Sequence, residues 1–144
     1  MLYYLDTVVV IYAVEGNAND QRRAMNHLQA LESANHQFII SELTRTECLV
    51  PVIGAGGGLR LADFFRFFHG PNIRMVGLTA AMHLRASAIR GSYKYDAIRP
   101  ALPKAYGLAD ALHLAAAIEC GCDVFLTNDK SLATFPDIMV ETLP

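Results

Sequence analysis

Four carboxylates of this sequence stand beside apolar stretches: Asp6, Glu47, Asp110 and Asp129. Asp6 follows one apolar run and Asp129 closes another. Glu47 and Asp110 each lead into an apolar helical stretch. A carboxylate beside apolar residues loses hydration unless another group compensates for it. Two like charges about 4 Å apart repel by roughly 4 kcal/mol at an effective dielectric constant near 20, so a divalent cation is the natural compensator if the fold gathers these four.

Each of these carboxylates also has a purely structural interpretation, as a helix cap or as a surface charge. Asp110 stands where it could cap the N-terminus of a helix, and Asp129 could cap a short helix that begins at Ser131. A cap is the poorest explanation for Asp6, because it leaves the apolar run before Asp6 unexplained. The residues alone leave both interpretations open.

The composition indicates one globular domain that spans residues 1–144. A chain of 144 residues is long enough to bury about two-thirds of its unfolded surface. An apolar fraction of 53% excludes a disordered chain, and it is high enough for some apolar residues to form a surface that binds a partner. No apolar run approaches the roughly 18 residues that would span a membrane. The first residues lack the basic region of a secretory signal.

The distribution of charge is more informative than the net charge of -2. Eleven of the 12 Lys and Arg residues lie between positions 22 and 104, so a patchy basic surface could hold phosphates while an acidic pit holds a metal ion. The three cysteines, Cys48, Cys120 and Cys122, lack the paired spacing of a zinc site. Their odd number fits a reduced, cytoplasmic setting.

Apolar strands alternate with helical stretches, which predicts an α/β fold with a central parallel sheet of about five strands covered by helices on both faces. Ligands of such sheets bind beyond the carboxyl ends of the strands, where Asp6 and Asp129 fall. The segment 7–14 is ambiguous between strand and helix. The predicted strands are 2–5, 37–40, 73–78, 123–127 and 138–143, and the predicted helices are 20–34, 43–53, 59–68, 79–89, 109–119 and 131–135.

Local signals refine these elements. Asp20 and Ser41 are predicted N-caps, and Pro51 is expected to kink or end its helix. The glycine-rich run 54–58 is predicted to be a hinge between two helices, because it lacks the spacing of a phosphate-binding loop. The stretch 91–104 is predicted to be irregular.

Four segments carry the four acids, in order, along nearly the whole chain. They are 4–12 (YLDTVVVIY), 41–49 (SELTRTECL), 110–117 (DALHLAAA) and 125–130 (FLTNDK). Together they resemble the motifs of PIN-domain ribonucleases, and within that family the VapC-type toxins of toxin–antitoxin pairs. The stretch 91–107 departs from the family in length and composition, which bears on substrate choice more than on the metal site.

The resemblance implies a PIN fold and a metal-dependent endoribonuclease that a small antitoxin inhibits, often as a homodimer. It also implies that the four acids hold Mg²⁺ or Mn²⁺, ions that oxygen ligands favour over zinc. We expect Asp6 and Asp110 to contact the ion directly, and Asp129 and Glu47 to contact it directly or through water. Either Thr127 or Asn128 would then orient a carboxylate or a water molecule.

Further residues are weaker candidates. His113, three residues after Asp110, could be a ligand or a general base, although core packing is the more common role of such a histidine. Tyr93 and Tyr95 are candidates for stacking on RNA bases. The basic residues that could contact the RNA backbone are Arg22, Arg23, Arg45, Arg85, Arg90, Lys94, Arg99 and Lys104.

Two competing functions remain to be weighed. One is a PIN-like scaffold or RNA-binding module without cleavage activity, against which the complete set of four acids speaks. The other is a different metal phosphoesterase, such as a phosphatase. The phosphatase pattern has a second Asp two residues after the first, and Val8 occupies that position here. The sequence therefore favours the ribonuclease.

Overall fold

The computed structural model describes residues 1–92 and 104–144. Its strands form one sheet in which every neighbouring pair is parallel. The strands are β1 (Leu2–Leu5), β2 (Gln37–Ser41), β3 (Ile73–Val76), β4 (Val124–Thr127) and β5 (Met139–Thr142), in the spatial order β3-β2-β1-β4-β5. The predicted parallel sheet of about five strands is therefore confirmed.

Helices cover both faces of the sheet, as predicted. They are α1 (Thr7–Glu15), α2 (Ala18–Ser33), α3 (Glu42–Gly54), α4 (Leu59–Phe68), α5 (Ala80–Ser92) and α6 (Leu108–Glu119). Alternate residues of β1 point to opposite faces. Tyr3 and Leu5 pack with α1 to α4, whereas Tyr4 packs with α5 and α6. Within the described residues, no helix is long and apolar enough to cross a membrane.

The ambiguous segment 7–14 is helical, and it forms most of α1. The bend between β1 and α1 falls at Asp6, whose backbone carbonyl accepts hydrogen bonds from the N–H groups of Val9 and Val10. Burial of one side of α1 in the core outweighs the local strand preference of its β-branched residues. This turn places Asp6 at the carboxyl edge of the sheet.

The predicted local signals have mixed outcomes. The N-cap of α2 is Asn17, whose side chain accepts the N–H groups of Asn19 and Asp20, so the prediction of Asp20 as the cap is wrong. Helix α3 continues past Pro51 to Gly54, and the run that follows joins α3 to α4 as predicted. Most of the stretch predicted to be irregular lies outside the described residues, although α5 extends into it as far as Ser92.

Candidate active site

A cleft of about 460 Å³ opens at the carboxyl edge of the sheet, beside the ends of β1 and β4. It gathers the four acids that the sequence motifs singled out, together with polar and apolar neighbours. Its lining residues are Asp6, Thr7, Val8, Ile11, Glu47, Asp110, His113, Asn128 and Asp129.

Asp6 is fixed between the ends of two neighbouring strands. Its N–H donates to the carbonyl of Leu126 at 2.9 Å, and the hydroxyl of Thr127 donates to its Oδ2 at 2.5 Å. Asp6 occupies the N-cap position of α1, but its side chain makes no capping hydrogen bond. Burial raises the pKa of Asp6 although the Thr127 hydrogen bond opposes this shift. The carboxylate is therefore directed into the cleft rather than used by the helix.

Asp129 and Thr127 form the turn that leaves β4. The N–H of Asp129 donates to the hydroxyl of Thr127 at 3.0 Å, which links Asp129 to the group that holds Asp6. Asp129 also caps a 3-10 helix at Lys130–Leu132, because its Oδ1 accepts the N–H of Ser131 at 2.8 Å. Hydrogen bonding to Ser131 lowers the pKa of Asp129. The structural interpretation of Asp129 as a cap therefore holds, while the residue also lines the cleft.

Asn128 lies between Asp129 and Thr127 and also lines the cleft. Its amide nitrogen donates to the hydroxyl of Tyr12 at 3.4 Å, and its Oδ1 accepts from Arg23 at 3.4 Å. These contacts tie the β4 turn to α1 and α2.

Glu47 reaches the cleft from α3 and is held by two donors. The hydroxyl of Thr7 donates to Oε2 at 2.5 Å, and Nε2 of His113 lies 2.7 Å from the same oxygen. Since an ionised carboxylate can only accept, Nε2 is the donor in this hydrogen bond. Burial alone would raise the pKa of Glu47, but the hydrogen bonds from His113 and Thr7 and the charge of His113 together lower it.

His113 belongs to a buried chain of hydrogen bonds behind Glu47. Its side chain is 2% exposed, and its Nδ1 lies 2.8 Å from the hydroxyl of Tyr4. That hydroxyl is in turn 2.8 Å from Oγ of Ser41, and both Tyr4 and Ser41 are fully buried. A polar chain of this kind is stable inside a protein only when its members satisfy one another. The chain holds Glu47 from behind and fixes the orientation of the imidazole.

Asp110 enters from the first turn of α6, whose N-cap is Gly107. The structural interpretation of Asp110 as the cap of this helix is therefore wrong. Burial raises the pKa of Asp110; the charge of Lys104 opposes the shift, and the negative charges of Asp129 and Glu47 reinforce it. The neighbouring acids thus disfavour ionised Asp110, and a bound cation would relieve this repulsion.

The donor set consists of oxygen atoms, which suits Mg²⁺ or Mn²⁺. In the described part of the chain, no three Asp, Glu, His or Cys side chains converge closely enough to enclose a metal ion. Asp6, Glu47 and Asp129 are each held by hydrogen-bond donors of the protein. This arrangement fits Mg²⁺, which usually keeps several water ligands and takes one or two carboxylates directly. It does not fit a closed site of the structural zinc kind.

The cleft includes two residues that the sequence reasoning undervalued. Thr7 is not among the residues that the sequence predicts for the site, and core packing is the more common role of a histidine such as His113. Both are buried, and both contact Glu47. The sequence held two signals for them: Thr7 directly follows Asp6, and His113 is one helical turn after Asp110.

Several of the basic residues predicted to contact RNA are engaged by other groups of the protein. Lys94 and Arg99 lie outside the described residues, as do Tyr93 and Tyr95. Arg45 pairs with Glu42 on α3, and Arg85 pairs with Glu119 of α6. Arg90 donates to the carbonyl of Tyr106. Arg23 pairs with Asp20 and donates to Asn128 and to the backbone carbonyls of residues 143 and 144.

The chain belongs to the PIN domain family, because the family model matches residues 3–138. Among curated proteins, no relative of the sequence was found. The fold and the order of the motifs thus agree with the resemblance derived from the residues.

Several solved structures share this fold. A chain of VapBC2 from Rickettsia felis, bound to a promoter DNA fragment, superposes with a TM-score of 0.79 at 18% identity, and each chain is covered completely. DNA-bound VapBC from Salmonella typhimurium gives 0.72 at 19% identity, also over 100% of both chains. VapC20 from Mycobacterium tuberculosis, described as a Sarcin-Ricin loop cleaving toxin, gives 0.66 at 15% identity over 95% of this chain and 98% of its own.

Proposed function

We propose that this protein is a metal-dependent endoribonuclease that acts as the toxin of a toxin–antitoxin pair. The observation that carries the proposal is the convergence of Asp6, Glu47, Asp110 and Asp129 on one cleft at the carboxyl edge of a PIN-family sheet. The four acids lie far apart in sequence, and separate structural roles would not require them to share a cleft. Hydrolysis of RNA phosphodiester bonds is the chemistry that such a site supports best.

The structural neighbours support RNA as the substrate and a small antitoxin as the partner. The Rickettsia and Salmonella structures are VapBC complexes, and the Mycobacterium protein is described as a toxin that cleaves the Sarcin-Ricin loop. By analogy, we expect this chain to cut RNA in the cytoplasm and to be inhibited by a small cognate antitoxin. We also expect it to function as one PIN domain over residues 1–144 and to form a homodimer.

Asp6 and Asp110 are the residues we expect to hold Mg²⁺ or Mn²⁺ directly, with Asp129 and Glu47 acting directly or through water. When bound, the ion would activate a water molecule and shield the phosphate charge. Burial raises the pKa values of both Asp6 and Asp110. The charge of Asp110 adds to the shift of Asp6, and the charges of Asp129 and Glu47 add to that of Asp110, so a nearby cation would favour the ionised form of both.

The protein's own hydrogen bonds prepare the site for this reaction. Thr127 orients Asp6, and Thr7 with His113 orients Glu47 and keeps it ionised. Because the residues that carry these donors belong to β4, α1 and α6 rather than to loops, the carboxylates need little reorganisation when substrate binds. Ionised Glu47 can then hold a proton-donating group such as a water molecule in the cleft.

The decisive test is cleavage of structured RNA by the purified protein in the presence of Mg²⁺ or Mn²⁺. We expect chelation with EDTA and the Asp6→Asn variant each to abolish cutting. Asp63→Asn is a matched control, because it removes a carboxylate that pairs with Arg66 on α4, away from the cleft. Full activity of Asp6→Asn, in a preparation free of contaminating nuclease, would contradict the metal assignment. RNA binding without cutting by the unmodified protein would favour the scaffold or binding module.

The toxin role has a separate test. Expression of the protein without a partner is expected to arrest growth by stopping translation, and Asp6→Asn is expected to relieve the arrest. A short reading frame directly upstream that encodes a DNA-binding antitoxin would support the pairing. Harmless expression of folded wild-type protein would argue against a toxin even if the protein cuts RNA in vitro.

A further inference from the structure

Lys104 lies near two acids of the cleft, although it is not among the residues that line the cleft. Its Nζ is 2.5 Å from Oγ of Ser131, and the N–H of the same serine donates to Oδ1 of Asp129 at 2.8 Å. Ser131 therefore joins a cation to one of the four carboxylates. Lys104 reaches this position from the segment that leads into α6, the helix that carries Asp110.

Within the described part of the chain, the groups around Lys104 hold its ammonium group without pairing it with a carboxylate. Among the described residues, Lys104 forms no ion pair with a carboxylate. Its Nζ lies 5.1 Å from the centroid of the Tyr106 ring, which supplies a cation–π contact. Tyr106 is itself buried and packs edge-on against Phe135 at 5.4 Å. A rigid aromatic surface and a hydroxyl thus position a positive charge that stays available.

The charge of Lys104 acts on both neighbouring acids. It opposes the upward shift in the pKa of Asp110, and it contributes to the downward shift in the pKa of Asp129. This electrostatic influence agrees with the hydrogen-bond geometry through Ser131. Arg45, Arg85 and Arg90, by contrast, are occupied by Glu42, Glu119 and a backbone carbonyl.

We propose that Lys104 contacts a phosphate of the RNA backbone at the Asp129 side of the cleft. The inference deepens the proposed ribonuclease function and rests on it. An RNA strand that approaches four carboxylates meets repulsion, and a fixed cation at the rim offsets that repulsion where the strand enters. The ammonium group of lysine is a point charge with three donors on a flexible stem, which suits a phosphate oxygen.

A structural alternative is that Lys104 only compensates for the negative charge of Asp110 and Asp129. The two roles differ in what removal of the charge would change. A backbone contact predicts weaker RNA binding and a lower salt dependence, because each phosphate contact releases counterions. A compensator predicts tighter binding of the metal ion and no change in RNA binding.

The experiment compares Lys104→Ala, Lys104→Arg and Lys130→Ala, each in an Asp6→Asn background that leaves RNA uncut. Lys130 is the matched control, because it is an exposed lysine beside Asp129. The probe is a fluorescein-labelled pool of short, mixed-sequence RNA, and binding is followed by anisotropy over a salt series. We expect Lys104→Ala to weaken binding about tenfold and to lower the salt slope by about 0.7, the value for one contact with single-stranded RNA. Lys104→Arg is expected to retain most of the affinity, and Lys130→Ala to lose less than about twofold.

Cleavage kinetics and Mn²⁺ titration complete the test, with Asp6 restored. We expect Lys104→Ala to raise KM with little change in kcat, since a backbone contact remote from the reacting bond binds substrate and transition state equally. Unchanged RNA affinity and salt slope, or tighter Mn²⁺ binding as the sole effect, would overturn the inference. An equal loss of RNA affinity in Lys130→Ala would also overturn the inference, because it would indicate a general electrostatic attraction rather than a contact made by Lys104. A wild-type protein that neither binds nor cuts RNA would refute the proposed function together with this contact, whereas normal cutting by Lys104→Ala refutes the contact alone.

Discussion

The two sides of the cleft are built differently. The inner wall is buried or half-buried, and it is held by side-chain hydrogen bonds that cross between distant elements. The outer rim is more exposed at Asp129 and Ser131, and its hydrogen bonds join Lys104 and Asp129 through Ser131. The inner wall consists of Tyr4, Asp6, Thr7, Glu47, His113 and Thr127, and the outer rim consists of Lys104, Asp110, Asp129 and Ser131.

The difference indicates that the inner wall and the outer rim have different roles. Groups on the inner wall have hydrogen-bond partners that fix their directions, so this wall can set the positions of Asp6 and Glu47 before substrate binds. Groups on the rim keep contact with solvent, so Lys104 can exchange water for a phosphate oxygen of the substrate. A substitution in the wall should therefore affect stability and activity together, whereas a substitution in the rim should affect activity alone.

The largest loss of stability is expected from His113→Ala. This change removes a 2% exposed side chain and leaves the hydroxyl of Tyr4 and the carboxylate of Glu47 without their shared partner. We expect the free energy of unfolding to fall by about 2–4 kcal/mol, and cleavage to fall about 10–100-fold. Urea denaturation and RNA cleavage measure the two effects.

His113→Gln serves as the companion variant, because its amide can donate to Glu47 again. Partial recovery of cleavage in this variant would support the orienting role of the imidazole. If His113→Ala unfolds at the urea concentration of the wild type, the inner wall does not depend on the buried chain, and the contrast with the rim fails.

The sheet and the gathering of the four acids in one cleft could be predicted from the sequence, because both depend on local patterns. Apolar runs that alternate with helical stretches define the strands, and the carboxylates that begin or follow those stretches carry the motif spacing. Parallel pairing then brings the carboxyl end of β1 beside that of β4, which places Asp6 near Thr127 and Asp129. The acids could be grouped in this way without knowledge of any side-chain contact.

The inner wall could not be predicted in the same way, since its contacts depend on how three helices and two strands pack. The hydrogen bond of Tyr4 to His113 joins residues 109 positions apart, and that of Thr7 to Glu47 joins residues 40 apart. Ser41 illustrates the limit. It stands at the N-cap position of α3 as predicted, but it makes no side-chain capping bond, and its hydroxyl instead lies against Tyr4.

The second-largest effect on stability is expected within the inner wall, because the pKa values of Asp6 and Glu47 are shifted in opposite directions. The pKa of Asp6 is raised above its ordinary value of 3.8, so ionisation of Asp6 disfavours the metal-free folded state as pH rises above that value. The pKa of Glu47 is lowered below 4.5, so the stability that Glu47 contributes is present above that pH and is lost as pH falls through the lowered pKa.

The matched amide variants should therefore change stability with opposite signs. In EDTA at pH 7, Asp6→Asn is expected to stabilise the protein, and Glu47→Gln to destabilise it. The Asp6→Asn difference should shrink towards zero as pH falls below the ordinary value of Asp6, and the Glu47→Gln difference as pH falls through the lowered pKa of Glu47, because each wild-type carboxylate is then protonated in both the folded and unfolded states. Thermal or urea unfolding at several pH values measures these shifts. A Glu47→Gln variant that gains stability at pH 7 would show that burial outweighs the hydrogen bonds from Thr7 and His113.

The smallest change in stability is expected at the outer rim, from Asp129→Asn. The amide oxygen can still accept the N–H of Ser131, so the cap of the 3-10 helix is retained. Asp129 is exposed, and a substitution of this kind usually changes the free energy of unfolding by less than about 0.5 kcal/mol. Cleavage should nevertheless fall about 10–100-fold, because the lost charge no longer helps to hold the ion or its water.

Urea denaturation and cleavage assays on the same preparation of Asp129→Asn therefore separate the two sides of the cleft. A variant that keeps wild-type stability but cuts poorly has the behaviour expected of the rim, since its defect lies in binding rather than in folding. If Asp129→Asn instead loses as much stability as His113→Ala, the turn after β4 supports the fold as strongly as the buried chain does. The rim would then be part of the framework, and Lys104, which reaches Asp129 through Ser131, would be held in place by the fold rather than free to meet a phosphate.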